Sequence, residues 1–490
     1  MIDSARSLMF AVVVTMVAAA GSTLSANGAV PAGAAVPASS APAEGTIAFH
    51  SFAPTPPMGW NSYDAFGDSV TEDEVMANAR YVKEKLLPHG WNYIVVDFRW
   101  YDPEPTGDDH ALNQKRTGAK LASDAFGRMV PAENRFPSSA GGKGFKPLAD
   151  KLHEMGLKFG FHYMRGIPRQ SVNNKTPIEG STFTAADAGD PRNTCGWCPD
   201  MYGVRNNEAG QSWYDAMFKL YASWGFDYIK VDDFSNPYRQ PEIEMVRKAI
   251  DKCGRAIVLS TSAGPTPVNR ADHVKTHANL WRISGDFWDT WTKLNQQFDL
   301  MAQWHDVAGP GHFPDADMIP FGHLCIRSKA GGDDRMTRYT HDEQTTLISF
   351  WCLAPSPLML GGDLPDNTDW DLGLITNDEV LAIDQDPLAR PAARVSQKGT
   401  PGGRGTQSTQ IETWVRELKD GSRAVGLFNR SEQAAEIPLQ WEDAKLTGQW
   451  TARDLWQHKD LGAFNNQLAM KVPAHGSVLL KLKPIQGNAP

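Results

Sequence analysis

Short β-rich runs alternate with longer helical patterns between residue 56 and about residue 387. This alternation excludes most fold classes, because strands separated by helices pair in parallel and bury both faces of their sheet. The pattern is least regular in the seventh run. Strands are predicted at residues 58–62, 93–98, 158–163, 228–232, 256–262, 280–285, 317–319 and 358–361.

Helical patterns lie between these runs, for example at residues 71–87, 210–224, 241–253 and 289–303. Thr71 and Glu74 have the spacing of a capping box at the start of the first of them. Eight strands interleaved with helices predict an α/β fold, a (β/α)₈ TIM barrel over residues 46–392 with long loops after its strands. A doubly wound open sheet is the alternative, although no glycine-rich phosphate loop follows the first strand.

The sequence pattern changes after about residue 393. A glycine-rich break at 399–405 precedes short runs of alternating apolar and polar residues, and Lys419-Asp420-Gly421 has turn chemistry. We therefore predict a C-terminal antiparallel β-sandwich domain over residues 406–485. Its strands are predicted at residues 409–416, 423–429, 435–440 and 477–482.

The N-terminus has the pattern of an export signal. Arg6 precedes an apolar run at residues 8–20, which is shorter than the about 20 residues that a transmembrane helix needs. We predict a signal peptide at 1–29 and a low-complexity Ala/Pro/Gly/Ser linker at 30–45. The mature chain is then expected to be periplasmic or extracellular. No later stretch is apolar enough to span a bilayer, so no membrane association is expected after signal cleavage.

Charge and cysteine content exclude further classes. The net charge of −9, without any local run of Lys and Arg, argues against a nucleic-acid partner. Five cysteines in 490 residues do not form a disulfide scaffold. Cys195 and Cys198 form the single close pair, for which a local loop disulfide is favoured over a redox or metal half-site. Cys253, Cys325 and Cys352 lie in apolar surroundings and are expected to be buried and inert.

Charged residues end four of the predicted strands, and in a parallel barrel the carboxyl ends of the strands form the active site. Asp97 ends the second strand, and Lys230 and Asp232 share one face of the fourth, with Asp233 on the other. Arg282 and Asp286 follow in the sixth run. Two more carboxylates, at 315 and 317, accompany the seventh.

A cluster of carboxylates with two cations is typical of glycoside cleavage, which needs one carboxylate as nucleophile and a second group to protonate the leaving oxygen. The cations lower the pKa of the nucleophile and bind sugar hydroxyls. The sixteen tryptophans agree with this reading, because apolar sugar faces stack on aromatic rings. A metal site is the rival, but the carboxylates lack nearby histidine ligands, so no metal or other cofactor is expected.

Five motifs, in order along the chain, resemble glycoside hydrolase family 27, the α-galactosidase and α-N-acetylgalactosaminidase family. The β-sandwich that follows, with its Arg-Asp-Leu-Trp at 453–456, resembles the family as well. The motifs are Pro-Pro-Met-Gly-Trp-Asn-Ser-Tyr at 56–63, Tyr-Ile-Lys-Val-Asp at 228–232, Trp-Arg at 281–282 running to Asp286, Val-Ala-Gly-Pro-Gly at 307–311, and Ile-Asp-Gln-Asp-Pro at 383–387.

The resemblance implies a retaining glycosidase with a covalent glycosyl-aspartate intermediate and without a metal or organic cofactor. It implies Asp232 as nucleophile and Asp286 as general acid/base, which burial and the charge of Asp232 are expected to keep protonated. The expected partners are oligosaccharides, polysaccharides or glycoconjugates. Trp60 is implied as the ring that stacks on the sugar and Asp97 as a holder of the hydroxyls at carbons four and six. The substrate-binding candidates are Trp60, Asp97, His162, Lys230, Ser262, Arg282 and Asp317.

The chain departs from the family pattern at four places. Phe98 stands where α-galactosidases have a second aspartate, His162 where they have a tyrosine, and Phe234 where a disulfide cysteine is expected. Ser262 replaces a glutamate and resembles the N-acetylgalactosaminidase branch. α-Galactosidase is the default expectation. α-N-acetylgalactosaminidase, β-L-arabinopyranosidase, isomaltodextranase-like activity and a non-catalytic carbohydrate-binding protein remain alternatives.

Overall fold

The structure is a computed structural model that describes residues 47–402 and 407–485. The predicted signal peptide and linker lie outside the described residues. Within the described chain, eight parallel strands form one sheet in the order β7-β6-β5-β4-β3-β2-β1-β8. The strands are β1 (Met58–Asn61), β2 (Tyr93–Val96), β3 (Lys158–Met164), β4 (Tyr228–Asp232), β5 (Val258–Thr261), β6 (Leu280–Arg282), β7 (Phe313–Asp315) and β8 (Leu358–Leu360).

The two outer strands of this sheet are β7 and β8, and the segment after β7 bridges to β8 and closes the barrel. Strand β1 pairs with β8, and on the far side of β8 the Ile319 amide donates to the Met359 carbonyl at 2.7 Å, while the Gly361 amide donates to the Ile319 carbonyl at 3.0 Å. The TIM barrel prediction is confirmed. The seventh strand was misplaced, because Asp317 has a left-handed φ of 84° that breaks the extended backbone after β7.

Helices surround the sheet and follow its strands. The Thr71/Glu74 capping box is present, with the Thr71 amide donating to Glu74 Oε2 at 2.9 Å. None of the described helices is long and apolar enough to cross a bilayer. The helices are α1 (Glu72–Tyr81), α2 (Lys146–Glu154), α3 (Glu208–Ser223), α4 (Gln240–Lys252), α5 (Ala271–Val274), α6 (Trp291–Ala302), α7 (His341–Leu353), α8 (Asp369–Ile375) and α9 (Asp378–Asp384), with shorter ones at Tyr63–Phe66, His110–Asn113, Arg169–Asn173 and Ala185–Ala188.

The C-terminal part is antiparallel, as predicted. A six-stranded sheet has the order β9-β10-β11-β16-β13-β14, and β12 pairs with β15. Apolar side chains between them, such as Leu427, Leu439 and Leu480, form a separate core. The strands are β9 (Ala393–Lys398), β10 (Ile411–Glu417), β11 (Arg423–Asn429), β12 (Ala435–Gln440), β13 (Gln449–Asp454), β14 (Lys459–Asn465), β15 (Gln467–Val472) and β16 (Ser477–Pro484).

Helix α7 joins this β domain to the barrel. The Trp456 indole N–H donates to Ser349 Oγ at 2.8 Å, and Thr346 Oγ1 donates to the His475 carbonyl at 2.7 Å. Near the C-terminal end of the helix, Arg416 donates to the Cys352 carbonyl. The Phe350 ring contacts the ring of Phe428, from the β domain, edge-on with centroids 5.5 Å apart. The two parts therefore share a packed interface within one compact unit.

Gly59 allows β1 and β2 to approach closely, and its replacement tests this packing. A Cβ at position 59 would lie 2.3 Å from the Tyr93 carbonyl oxygen, a backbone atom that has no room to move. We expect Gly59→Ala to lower the free energy of unfolding by at least about 1–3 kcal/mol in urea titrations. Gly373→Ala, in α8 with open space around it, should instead stabilise by up to about 1 kcal/mol. Equal midpoints for both variants would contradict this interpretation.

Candidate active site

A cavity of about 370 Å³ lies at the carboxyl ends of the barrel strands. Its wall combines carboxylates, two cations and aromatic rings, which is the composition that the strand ends predicted. Six of the nine predicted site residues line it, namely Asp97, Lys230, Asp232, Arg282, Asp286 and Asp317. The other lining residues are Tyr63, Asp64, Phe98, Asp108, His110, Trp197, Asn236, Ala263, Gly264, Gly285, Phe287, Trp288 and Met318.

Asp97 and Lys230 form a buried ion pair at the ends of β2 and β4. Lys230 Nζ lies 3.0 Å from Asp97 Oδ2, and the Asn61 side-chain amide donates to the same oxygen at 2.7 Å. Burial would raise the pKa of Asp97, but the positive charges of Lys230 and His162 outweigh it and lower the pKa. Asp97 is therefore a fixed anion that can accept hydrogen bonds from a ligand hydroxyl.

Asp232 ends β4 and is held as an anion. His162 Nε2, from β3, lies 3.1 Å from Asp232 Oδ2. Burial would raise the pKa of Asp232, but the charge of Lys230 and that of His162 hold it well below the usual range. Asp232 Oδ1 has no hydrogen-bond partner among the described residues. An ionised carboxylate in a cavity wall, with one oxygen free of hydrogen bonds, is suited to act as a nucleophile.

Arg282 links the carboxylates on the opposite side. Its Nη2 lies 2.6 Å from Asp317 Oδ2 and 3.4 Å from Asp286 Oδ1, and the Phe287 amide donates to Asp317 at 2.8 Å. Burial, together with the charge of Asp286, raises the pKa of Asp317 to about 6, although Arg282 opposes the shift. The carboxyl group of Asp317 is therefore protonated at a higher pH than that of an ordinary aspartate.

Asp286 differs from the expectation that it is buried. Its side chain is 57% exposed, because it lies four residues beyond β6 on the rim of the cavity, next to the exposed Gly285. The burial expected for Asp286 is therefore not observed. Asp289, another acidic residue nearby, is fully buried and paired with Arg335 at 2.5 Å, and it does not line the cavity.

Trp60, His162 and Ser262 do not line the cavity, which corrects the contacts expected for them. Trp60 is fully buried, and its indole N–H donates to the Gly362 carbonyl at 2.8 Å, so its ring packs inside the barrel core. His162 is also fully buried and acts on the site through Asp232. Ser262 is buried with its Oγ 3.5 Å from Arg282 Nη1, so it contacts a cavity residue rather than the cavity.

Aromatic residues that the sequence analysis did not assign form much of the wall. The Phe98 ring contacts the His162 ring edge-on, with centroids 5.4 Å apart, and lies 5.7 Å from the Trp197 ring. Tyr63 and Trp288 lie 6.4 Å apart on the other side. Tyr63 directly follows the first strand, so the strand-end rule could have found it. Trp197 and Trp288 lie in long loops, for which the sequence holds no positional signal.

Cys195 and Cys198 are both free thiols, so the predicted loop disulfide is absent. Both are buried, and burial raises the pKa of each thiol, which disfavours the thiolate that disulfide formation needs. Of the remaining cysteines, Cys325 and Cys352 are buried as predicted, whereas Cys253 is half-buried.

Candidate metal ligands lie elsewhere. Glu244, His273 and His277 form a cluster whose possible metal-ligand atoms all lie within 4.8 Å of one another. It is the one such cluster found across residues 47–402 and 407–485. All three are half-buried and none lines the cavity. The chemistry of the cavity is therefore that of carboxylates, Lys230 and Arg282.

Comparison with known proteins identifies the family. Residues 192–386 match the family model described as alpha galactosidase A, and residues 408–482 match the alpha galactosidase C-terminal beta sandwich domain. An α-galactosidase of Cyamopsis tetragonoloba is 30% identical over 439 residues, covering 88% of this chain and 86% of that protein.

Two solved structures are similar over most of the chain. A family 27 β-L-arabinopyranosidase of Geobacillus stearothermophilus is 45% identical with a TM-score of 0.85, covering 91% of this chain and all of the other. A putative α-N-acetylgalactosaminidase of Bacillus halodurans is 40% identical with a TM-score of 0.75, covering 88% and 97%. The carboxylate-lined barrel cavity, the β-sandwich and these similarities together establish that the chain belongs to glycoside hydrolase family 27 and is a glycosidase.

Proposed function

We propose that the protein hydrolyses a terminal glycoside with retention of configuration, with Asp232 as nucleophile and Asp286 as acid/base. In the first step an Asp232 carboxylate oxygen attacks the anomeric carbon, the glycosidic C–O bond breaks, and the Asp286 proton moves to the leaving oxygen. In the second step Asp286 takes a proton from water, which attacks the same carbon and frees Asp232. The lowered pKa of Asp232 supports the first role, because the nucleophile must be ionised.

The substrate class follows from the Phe98 wall. Phe98 occupies the place where the family resemblance puts a second aspartate for the hydroxyls at carbons four and six. Its ring cannot accept a hydrogen bond, and with the His162 and Trp197 rings 5.4 Å and 5.7 Å away it makes this part of the wall aromatic, which disfavours a hydroxymethyl group that needs a polar partner. β-L-Arabinopyranose has the ring configuration of α-D-galactopyranose but lacks the exocyclic CH₂OH. We therefore propose a terminal β-L-arabinopyranoside as the preferred substrate, a sugar that the similar Geobacillus enzyme is named for.

A second candidate is a terminal α-N-acetylgalactosaminide. Ser262 stands where a glutamate is expected, and the adjoining wall consists of the small residues Ala263 and Gly264. This side of the cavity is therefore less crowded than a glutamate would leave it. The Phe98 wall argues against this candidate, because N-acetylgalactosamine carries the same CH₂OH group as galactose.

A panel of p-nitrophenyl glycosides tests these candidates. We expect kcat/KM for the β-L-arabinopyranoside to exceed that for the α-galactoside by at least about 100-fold, the upper range for steric discrimination by an apolar pocket. Phe98→Asp should raise the activity on the α-galactoside and reduce this ratio, because it restores an acceptor for the hydroxymethyl group. Phe98→Leu, which stays apolar, should keep the preference.

The panel has two contradicting outcomes. A kcat/KM on the α-galactoside of about 10⁴ M⁻¹s⁻¹ or more, the range of good enzymes, would indicate a plain α-galactosidase. A maximum on the α-N-acetylgalactosaminide would assign the second candidate and place the Ser262 side, rather than Phe98, in control of specificity.

A further inference from the structure

Asp64 is a buried carboxyl group in the cavity wall to which the proposed reaction assigns no role. It lies in the short helix Tyr63–Phe66 directly after β1, and it lines the same cavity as Asp97, Lys230 and Asp317. Only 1% of the residue is exposed, and its Oδ2 atom has no hydrogen-bond partner among the described residues. A buried polar atom without a partner costs about 1–3 kcal/mol, so this carboxyl group is kept in the cavity wall at a cost to stability.

The backbone on the opposite side leaves space for this carboxyl group. Gly361 directly follows β8, and a Cβ built on it would lie 2.0 Å from Asp64 Oδ2 and 2.5 Å from Asp64 Cγ. Any side chain at position 361 would therefore displace Asp64. The position of Asp64 thus depends on two strand ends that meet where the barrel closes, as expected for a site with a defined geometry.

The surroundings of Asp64 favour its neutral form. Burial, and next to it the negative charge of Asp317, raise the pKa of Asp64 well above its usual range, while Lys230 opposes the shift only in part. A neutral carboxylic acid can donate one hydrogen bond and accept another. It differs in this respect from Asp97 and Asp232, whose lowered pKa values leave them as acceptors only.

We propose that Asp64 is a specificity-determining residue that hydrogen-bonds a hydroxyl group of the terminal pyranose in the cavity. This inference rests on the proposed glycosidase site but not on the identity of the sugar. Asp64 would give the sugar a second carboxyl contact besides Asp97. The second aspartate expected from the family pattern is absent, because Phe98 occupies its place. The role is in binding, so the hydroxyl group that it contacts lies away from the reacting bond.

The test compares Asp64→Asn with Asp64→Leu on whichever glycoside of the panel gives the highest kcat/KM. Asparagine keeps one donor and one acceptor without a charge, so KM should stay within about threefold of the native value, whereas leucine should raise KM by about tenfold or more. The Ki of the corresponding free monosaccharide, measured against each variant, should follow KM. Circular dichroism and thermal unfolding verify that both variants fold.

The pH dependence separates binding from a structural role. Ionisation of Asp64 beside Asp97 and Asp317 should weaken binding in the native protein, so KM should rise as the pH passes through the raised pKa of Asp64, while Asp64→Asn should lack this rise. Asp384→Asn is the matched control, because Asp384 is fully buried with an unpartnered Oδ1 and lies outside the cavity. It should leave KM unchanged.

Two results would overturn the proposal. One is a folded Asp64→Leu variant with native KM and native monosaccharide Ki. The other is a Gly361→Ala variant, in which Asp64 is displaced, that binds the monosaccharide as the native protein does. Failure of the proposed function is a different observation, namely that no glycoside of the panel is cleaved while the free sugars still bind.

Discussion

Replacement of Asp232 by alanine is expected to lower kcat on the best aryl glycoside by at least about 10⁴-fold, the scale seen when a nucleophile is removed. The reason is that Lys230 and the neighbouring His162 hold Asp232 ionised, and one of its oxygens has no hydrogen-bond partner among the described residues. Its loss removes the atom that forms the covalent intermediate. Steady-state kinetics of purified, folded protein measures the effect, and added azide should restore turnover by filling the vacated space and should give a glycosyl azide of inverted configuration.

The neighbouring carboxylate provides the control. Asp233 is buried beside Asp232 but points away from the cavity, where it accepts from Arg165 Nε at 2.8 Å. Asp233→Asn should therefore reduce stability more than kcat. Proton NMR of the first product formed by the native protein should show retained configuration. Initial release of the inverted anomer, or an Asp232→Ala variant with more than about a tenth of native kcat, would exclude the nucleophilic role.

The barrel could be predicted in detail because its strands are buried on both faces and leave strong apolar runs. The fourth strand was predicted to the residue, and the C-terminal strands β11 and β12 agree as well. The seventh strand could not be predicted to the residue, because Phe313–Asp315 is short and contains a proline. The bridge to β8 is made by Ile319, which follows the left-handed residue Asp317. That geometry depends on the closure of the barrel, which is a tertiary property.

The cavity could be predicted where the strand-end rule applies and not elsewhere. Asp97, Lys230, Asp232 and Arg282 meet in one cavity as their strand positions indicate. Trp60 does not line the cavity and is fully buried. This could not be predicted, because the sequence does not indicate which side of a buried strand faces the cavity. Trp197 was missed for a different reason, because loops of this length are positioned by contacts that are distant in the sequence.

The exposure of Asp286 leads to a prediction about leaving groups. A general acid contributes most when the leaving group is a poor one, so Asp286→Ala should lower kcat/KM by about 10²–10⁴-fold on an alkyl glycoside or disaccharide. An activated dinitrophenyl glycoside needs little protonation, and its kcat/KM should fall by less than about tenfold. Because Asp286 also activates water in the second step, the glycosyl-enzyme should accumulate on the activated substrate, visible as a burst of released phenol.

Asp317 is the competing acid, and the pH profile separates the two residues. The raised pKa of Asp317, about 6, means that it is protonated below this pH and forms its ion pair with Arg282 above it. If Asp286 is the acid, Asp286→Ala removes the alkaline limb of kcat/KM on the poor substrate, whereas Asp317→Asn keeps that limb. The opposite result would be an alkaline limb near pH 6 that persists in Asp286→Ala and disappears in Asp317→Asn. It would assign proton transfer to Asp317 and leave Asp286 with a role at the rim of the cavity. The distinction holds because the Asp286 side chain is 57% exposed and that of Asp317 only 5%, so a bound substrate changes the solvent exposure of Asp286 far more than that of Asp317.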